Sequence, residues 1–370
     1  MTTTKTTAQT KTTAHTDTIH THTVRRRLLG SAALLGLAAA LSGCGHGSQS
    51  AQTGTTGTGG ATPAGGGKPL QIAVIPKGTS HEYWKSIHAG ANKAMQELGA
   101  QGTPVNILWK GPAREDDRNA QIDVVQTFVA QQVSGMVLAP LDSQALVQPV
   151  HEAVGQKIPI VIIDSSLNST DYASFVSTDN QKGGLLGGQQ LAKVMGGKGR
   201  VLLLRYQQGS ASTEQREAGF MAAMKQNPGI TIVSQDQYAG ATVDTAYKSA
   251  QNVLARFGTQ VDGIFTPNES STRGMRLALN DAGLLHKVKF VGFDASPDLI
   301  TDLKAGELQG LVVQNPFKMG YLGVKTLVAA IKNQKVDKTI DTGVTLVTPD
   351  NLTTPDVQTL INPPLDQYLK

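Results

Sequence analysis

A single cysteine, Cys44, occurs in the whole chain, which excludes an intrachain disulfide and any zinc cluster built on cysteines. Aromatic residues are scarce at 5%, and no apolar run is long. The formal net charge is +5, yet Lys5, Lys11, Arg25, Arg26 and Arg27 against Asp17 place four of those charges in residues 1–44. The remainder of the chain is nearly neutral, so it lacks the attraction to phosphate backbones that nucleic-acid binding requires. Enzyme signatures are also missing. There is no Walker loop and no GxSxG elbow, and His151-Glu152-Ala153-Val154-Gly155 lacks the second histidine of a zinc-protease helix. Gly183-Gly184 and Gly187-Gly188 do not follow a strand as a dinucleotide fingerprint does; at spacing four they suit close helix packing. Asp116-Asp117 reads as a solvated helix start rather than an acid–base pair. The expectation is a protein with no catalytic residue, cofactor or metal.

What is present begins with an address. Threonine fills half of the stretch from Met1 to Val24, without apolar periodicity, and this piece reads as disordered; its His15, His20 and His22 read as spacer rather than metal ligands. Arg25-Arg26-Arg27 then precedes a small and apolar run from Leu28 to Gly43. That run falls short of the about 20 residues that a membrane-spanning helix needs, and it fits an export signal. The paired arginines before Leu28-Leu29 resemble a twin-arginine signal, although ordinary secretion signals also begin with arginines. The run ends in Leu41-Ser42-Gly43-Cys44, which resembles a bacterial lipoprotein box, so Cys44 is the expected lipidation site and residues 1–43 the signal. Several acyl chains, at about 0.8 kcal/mol per buried CH₂, anchor stably. Residues 45–67 hold nine glycines and no formal charge, which describes a flexible linker with a reach of about 25–30 Å. The expected location is the bacterial cell envelope, with the body tethered to a membrane.

From Leu70 short β-branched runs alternate with longer helical patterns. Strands are predicted at 70–76, 104–109, 134–139, 159–164 and 173–177, with helices near 81–98, 117–132 and 143–156 between the first four. The pattern restarts with strands at 200–205, 230–234, 261–266, 288–293 and 310–314, and helices near 181–195, 212–226, 242–257, 269–282, 297–305 and 316–333. Continuous apolar strands with helical crossovers predict an α/β fold with parallel sheets covered on both faces. The halves echo each other. Gly135-Met136-Val137-Leu138-Ala139-Pro140 answers Gly263-Ile264-Phe265-Thr266-Pro267, and the next strand ends in an aspartate in both, Asp164 in the first half and Asp294 in the second. Two similar lobes follow, each an open parallel sheet with helices on both faces.

Ligands in open α/β sheets bind beyond the carboxyl ends of the strands. Candidates there are Lys77, His81, Tyr83 and Trp84 after the first strand, Asp142 after the third, and Asp164 and Ser165 after the fourth. The second half supplies Arg216 at a helix start, Asn268 and Asp294 at strand ends, and Gln314 at the end of the strand at 310. Carboxylates, amides and guanidinium groups grip vicinal hydroxyls with paired hydrogen bonds, and an aromatic face packs on the C–H face of a sugar.

These residues resemble the ribose-binding-protein branch of the periplasmic substrate-binding proteins, over roughly Leu70 to Asn351. The resemblance rests on Ile72-Ala73-Val74-Ile75 with Tyr83-Trp84, on Pro159 to Asp164, on Ser177-Thr178-Asp179-Asn180 with Gly183-Gly184, and on Arg216 to Phe220. Phe265 to Glu269, Val291 to Asp294 and Gln314 complete it. It implies two lobes that close on a sugar and dock on an ABC permease. It implies three crossing strands near Thr178-Asp179, Gln314-Asn315 and Gly343, an N-terminal lobe of 70–178 plus 315–343 and a C-terminal lobe of 179–314 plus 344–370. Trp84, Asp164, Arg216, Asn268, Asp294 and Gln314 match the family's sugar contacts. Lys77 and His81 stand where small polar groups are usual, Ala139 replaces an amide, and Ser165 replaces an arginine. These departures leave the sugar or polyol open, and the donors added by Lys77 and His81 would suit an acidic, larger or differently substituted one. The implied protein is a monomeric solute-binding lipoprotein of an ABC importer. A sensor subunit for a membrane receptor, a LacI-type regulator core and an enzyme on a small polar substrate are the alternatives. The regulator needs an N-terminal helix-turn-helix that residues 45–68 cannot make.

Overall fold

The computed structural model describes residues 68–369; Cys44, the export signal and the linker lie outside them. The first half comprises β1 (Leu70–Ile75), α1 (Glu82–Ala100), β2 (Val105–Trp109), α2 (Arg118–Ala130), β3 (Gly135–Leu138), α3 (Val147–Gly155), β4 (Ile160–Ile163) and β5 (Ser174–Ser177). The second comprises α4 (Asn180–Val194), β6 (Lys198–Arg205), α5 (Ala211–Lys225), β7 (Gly229–Tyr238), α6 (Val243–Phe257), β8 (Gly263–Phe265), α7 (Glu269–Asp281), β9 (Lys289–Phe293), α8 (Pro297–Lys304) and β10 (Gly310–Gln314). The chain then adds α9 (Pro316–Ile331), β11 (Thr339–Asp341), β12 (Val344–Val347), α10 (Pro355–Ile361) and α11 (Leu365–Tyr368). Among the described residues no helix is long and apolar enough to cross a membrane.

Two six-stranded sheets result, ordered β11-β5-β4-β3-β1-β2 and β12-β10-β9-β8-β6-β7. Alternation along each central strand divides the core. Ile72 and Val74 point into a cluster with Ile87 of α1 and Leu327 of α9, whereas Ala73 and Ile75 join Val125 of α2 and Val150 of α3. In the second sheet Leu202 and Leu204 face α6 and α7, and Val201 and Leu203 face α4 and α5. Each fully buried Leu or Ile contributes about 1.5–3 kcal/mol, so both faces of both sheets are anchored. This is the α/β architecture of two lobes with helices on both faces of each sheet.

One expectation needs correction: the second sheet is not wholly parallel. β12 runs antiparallel to β10, with Gln314 opposite Val344. The cause is the crossing between β11 and β12. The chain enters the second sheet at the end where β10 leaves it, so β12 must run the opposite way. Gly343 makes this turn at φ +88, which a residue without Cβ adopts freely. The three crossings lie side by side: Thr342 N–H donates to Ser177 O at 2.9 Å, Thr178 Oγ1 to Gly343 O at 3.4 Å, and Gln314 pairs with Val344 just beyond Gly343.

The chain end departs from the expected division as well. Val357 of α10 packs in the second lobe, but α11 returns to the first. Asn92 Nδ2 of α1 donates to Tyr368 O at 2.8 Å, and the Phe317 and Tyr368 rings lie 5.8 Å apart. Pro363-Pro364 spans the interval, where no helix can continue.

Closely packed helix pairs fix both lobes. In the first, a Cβ on Gly90 would lie 2.0 Å from Phe317 O, and one on Gly320 2.0 Å from Ile87 O. In the second, a Cβ on Gly184 would lie 1.8 Å from Arg216 O, and one on Gly219 2.0 Å from Gln181 O. The glycines of α4 thus serve packing, and they press against the helix that carries Arg216.

Candidate functional site

The carboxyl ends of the strands face each other across a cleft. The first lobe supplies Lys77, His81, Tyr83, Trp84 and Asp164 to its cavity; the second supplies Arg216, Asn268 and Asp294, and Gln314 stands at a crossing. Nine sequence-predicted residues are thereby brought together. Two are not. Asp142 caps the turn before α3, accepting from Gln144 N and Ala145 N at 2.9 and 2.8 Å, and it pairs with Arg118 Nε at 2.6 Å. Ser165 lies behind the wall, where its Oγ accepts the Ser212 N–H at 3.0 Å.

Five wall residues escaped the sequence reading: Glu115, Tyr206, Ser212, Thr213 and Glu269. Tyr206 directly follows β6 and Glu269 directly follows Asn268, so strand-end placement signals both. Ser212 and Thr213 open the helix of Arg216. Glu115 carries no sequence signal; it adjoins Asp116-Asp117, of which Asp117 caps α2 through Ala120 N as a solvated helix start would.

Both strand-end aspartates sit in the left-handed region, Asp164 at φ +63 and Asp294 at φ +68. Such residues are uncommon and cluster where surrounding structure holds a functional geometry. Asp164 accepts from Tyr83 OH at 2.9 Å through Oδ1, and its Oδ2 lies 2.7 Å from Lys77 Nζ. Among the described residues that oxygen has no hydrogen-bond partner besides this ion pair. Asp294 accepts from Gln314 Nε2 at 2.7 Å and from Glu269 N at 3.0 Å. Burial pushes its carboxyl above the ordinary value, against the nearby Arg216.

Arg216 is held on three sides. Its Nε donates to Asn180 Oδ1 at 2.8 Å, its Nη1 donates to Pro267 O at 3.0 Å, and its Cζ stacks 4.0 Å from the centre of the Phe293 ring. Nη1 is 4.0 Å from Asp294 Oδ2. Nη2 is buried and has no partner among the described residues. A buried donor left unpaired costs about 1–3 kcal/mol, more for a charged group.

The cations are matched by carboxylates. Lys77 faces Asp164, and His81 Nδ1 lies 2.5 Å from Glu115 Oε1. Burial alone would lower the His81 pKa, but the charge and hydrogen bond of Glu115, with Glu269 and Asp294 beyond, raise it to about 9. Burial alone would raise Glu115, but His81, Lys77 and the Tyr206 hydroxyl bring it down to about 2.

The lobes touch directly across the cleft. Tyr206 OH donates to Glu115 Oε2 at 2.6 Å, Tyr83 N–H to Glu269 Oε2 at 3.1 Å, and Lys77 Nζ to Ser212 Oγ at 3.0 Å. Ser143 N–H reaches Gly209 O at 2.9 Å. This is a closed arrangement, and the space left between the walls is about 30 Å³. A molecule larger than a water or two enters only when the walls part.

Known proteins share this architecture. The family described as a periplasmic binding protein domain matches residues 72–335. The D-allose-binding periplasmic protein of Escherichia coli is 30% identical over 274 residues, covering 72% of this chain and 86% of the relative. A carbohydrate transporter solute-binding protein from Agrobacterium radiobacter, solved with D-arabinose, superposes with a TM-score of 0.75 at 36% identity, over 80% of this chain and 99% of that one. An ABC transporter solute-binding protein from Agrobacterium vitis, solved with D-fucose, gives 0.75 at 34% identity over 79% and 100%. The fold is shared with these proteins, and the chain belongs to the periplasmic binding protein family.

Proposed function

We propose that this protein is the solute-binding component of an ABC importer, capturing an uncharged sugar or polyol between its lobes and presenting it to a permease. The observation that carries the reading is Arg216. Three of its faces are fixed by Asn180, Pro267 and Phe293, and its buried Nη2 awaits an acceptor. A hydroxyl oxygen of a bound polyol supplies that acceptor, while Asp164 and Asp294 accept from neighbouring hydroxyls. The charge balance argues for a neutral ligand. Lys77, His81 and Arg216 each already face a carboxylate, so an acidic sugar would bring an unmatched charge into a buried site. Allose, arabinose and fucose, named for the relatives, are all uncharged.

Lys77, His81, Tyr83, Trp84, Asn268 and Gln314 complete the ligand contacts in this reading. The crossings at 178–179, 314–315 and Gly343 serve as the hinge, and lipidated Cys44 anchors a monomeric body to the membrane. Every charged group of the cleft is engaged in gripping or pairing, which favours binding without turnover. Calorimetry of the purified protein against D-allose, D-arabinose, D-fucose, D-ribose and xylitol tests the reading, with mass spectrometry of any co-purified ligand. Binding of a neutral polyol supports it. Binding only of sugar acids, or chemical conversion of the ligand in catalytic amounts, overturns it.

A further inference from the structure

Glu115 is 5% exposed and stands apart from the strand ends that supply most of the cleft. Its Oε1 receives two groups of the same wall, Trp84 Nε1–H at 2.7 Å and His81 Nδ1 at 2.5 Å. Its Oε2 receives Tyr206 OH at 2.6 Å, and its backbone oxygen receives Gln207 Nε2 at 2.9 Å, both from the second lobe. Room is reserved for it: a Cβ on Gly78 would lie 2.8 Å from Glu115 Cγ. We propose that Glu115 is the positioning residue of the ligand cleft, holding His81 by Nδ1 and the Trp84 indole by Nε1, with Tyr206 completing its contacts only when the lobes close. This inference rests on the reading of the cleft as a polyol site.

The chemistry follows from the atoms used. With Nδ1 taken, His81 has only Nε2 with which to meet a ligand, and a doubly protonated ring makes that nitrogen a donor. With the indole N–H taken, Trp84 offers its face and not its polar edge. The wall therefore donates one charge-assisted hydrogen bond and supplies one flat apolar surface. It selects a ligand with an oxygen acceptor at that end, next to a C–H face. The charged groups around His81 are Glu115 before α2, Glu269 at the start of α7 and Asp294 after β9, with Lys77 acting on Glu115 from the loop after β1. Without Glu115 the two remaining carboxylates oppose burial, and the imidazole titrates nearer its ordinary range.

The test uses Glu115→Gln, His81→Gln and the double variant in the full-length chain. Ligand-free protein labelled at histidine is titrated by NMR, the His81 signal being identified by its loss in His81→Gln. Wild-type His81 is expected to stay protonated from about pH 5.5 to 8, and in Glu115→Gln to titrate within that range. Affinity for the tightest of D-allose, D-arabinose, D-fucose, D-ribose and xylitol is then measured across the same range. Glu115→Gln is expected to bind about tenfold or more weakly at the alkaline end and to recover at the acid end. The double variant should bind little more weakly than His81→Gln, because a glutamine oxygen at 115 still accepts from the Trp84 indole and the charge that Glu115→Gln removes acts through His81. An unshifted His81 titration in Glu115→Gln, or a pH-independent loss that adds in full to that of His81→Gln, overturns the proposal. If wild type binds none of the five, the polyol reading fails, and the ligand-free titration alone decides whether Glu115 sets the state of His81.

Discussion

Asp164 and Asp294 occupy corresponding places in the two lobes. Each follows the last residue of its strand, each has a left-handed backbone, and each sends its N–H to the strand beside it, Asp164 to Val176 O at 3.2 Å and Asp294 to Val312 O at 2.8 Å. The same turn, made once in each lobe, aims a carboxylate into the cleft from either side. Short polar side chains tolerate this conformation better than others, so asparagine is the substitution that separates charge from geometry. Asp294→Asn and Arg216→Ala are each expected to weaken ligand binding about tenfold or more, roughly 1.4 kcal/mol, with folding retained. Calorimetry beside circular dichroism checks this; unchanged affinity in both folded variants would remove them from the site.

The His81–Glu115 pair shapes stability against pH. His81 is raised from 6.5 to about 9, so its contribution is complete below about 6.5 and is lost as pH rises through 9. Glu115 is lowered from 4.5 to about 2, so its contribution is complete above about 4.5 and is lost as pH falls through 2. Asp294 and Glu269, both raised chiefly by burial, act in the other direction: their ionisation opposes folding as pH rises. The melting temperature should therefore be highest between about pH 4.5 and 6.5 and decline toward 9. Scanning calorimetry at stepped pH reads this directly. A melting temperature that climbs from 6.5 to 9 would contradict the pairing, and His81→Gln should flatten the alkaline decline.

Gly184 lies against the carbonyl of Arg216, so packing and binding meet at one contact. Gly184→Ala must push α5 outward, at a cost of about 1–3 kcal/mol typical of overpacking. Because α5 carries Arg216, affinity should fall along with denaturant stability. Gly99→Ala is the control, since nothing lies within 4 Å of its added Cβ. Urea titration and calorimetry on both variants would expose an error if Gly184→Ala bound as tightly as wild type.

Lobe closure has a measurable size. Shifting an open–closed equilibrium from 1:99 to 99:1 takes about 5.5 kcal/mol of differential contact. The Arg216, Asp164 and Asp294 hydrogen bonds with stacking on Trp84 are of the kind that supplies it. Small-angle scattering should show a smaller radius of gyration with saturating ligand and unchanged secondary structure. Superimposable curves would rule closure out as the response to ligand.

Cys44 is expected to carry the membrane anchor. Cys44→Ala should move the protein from the membrane to the soluble fraction and block its processing. Retention in the membrane fraction, processed as before, would refute the lipoprotein assignment.

Much of this was legible in the sequence, for stated reasons. Continuous β-branched runs such as Ile160–Ile163 mark buried parallel strands, and the repeat of strand and aspartate at Asp164 and Asp294 located both halves of the cleft. β11 and β12 were not foreseen, being three and four residues long and only partly buried. Their pairing is decided by the crossing at Gly343 rather than by their own pattern. Glu115 escaped because its place depends on a loop fold and on a partner, Tyr206, that is remote in sequence. Lys77 and His81 were legible as positions, but their partners were not, since Asp164 and Glu115 meet them only in three dimensions.

For anyone fixing a dye or a surface to this protein, the tail decides what the attachment reports. A label beside Tyr368 rides on α1, whereas one at Thr354, a short way earlier in the chain, rides with the second sheet. The stiff Pro363-Pro364 step lies between them. Two fluorophores placed there would ride on different lobes, so a change in the distance between them would report movement of one lobe against the other.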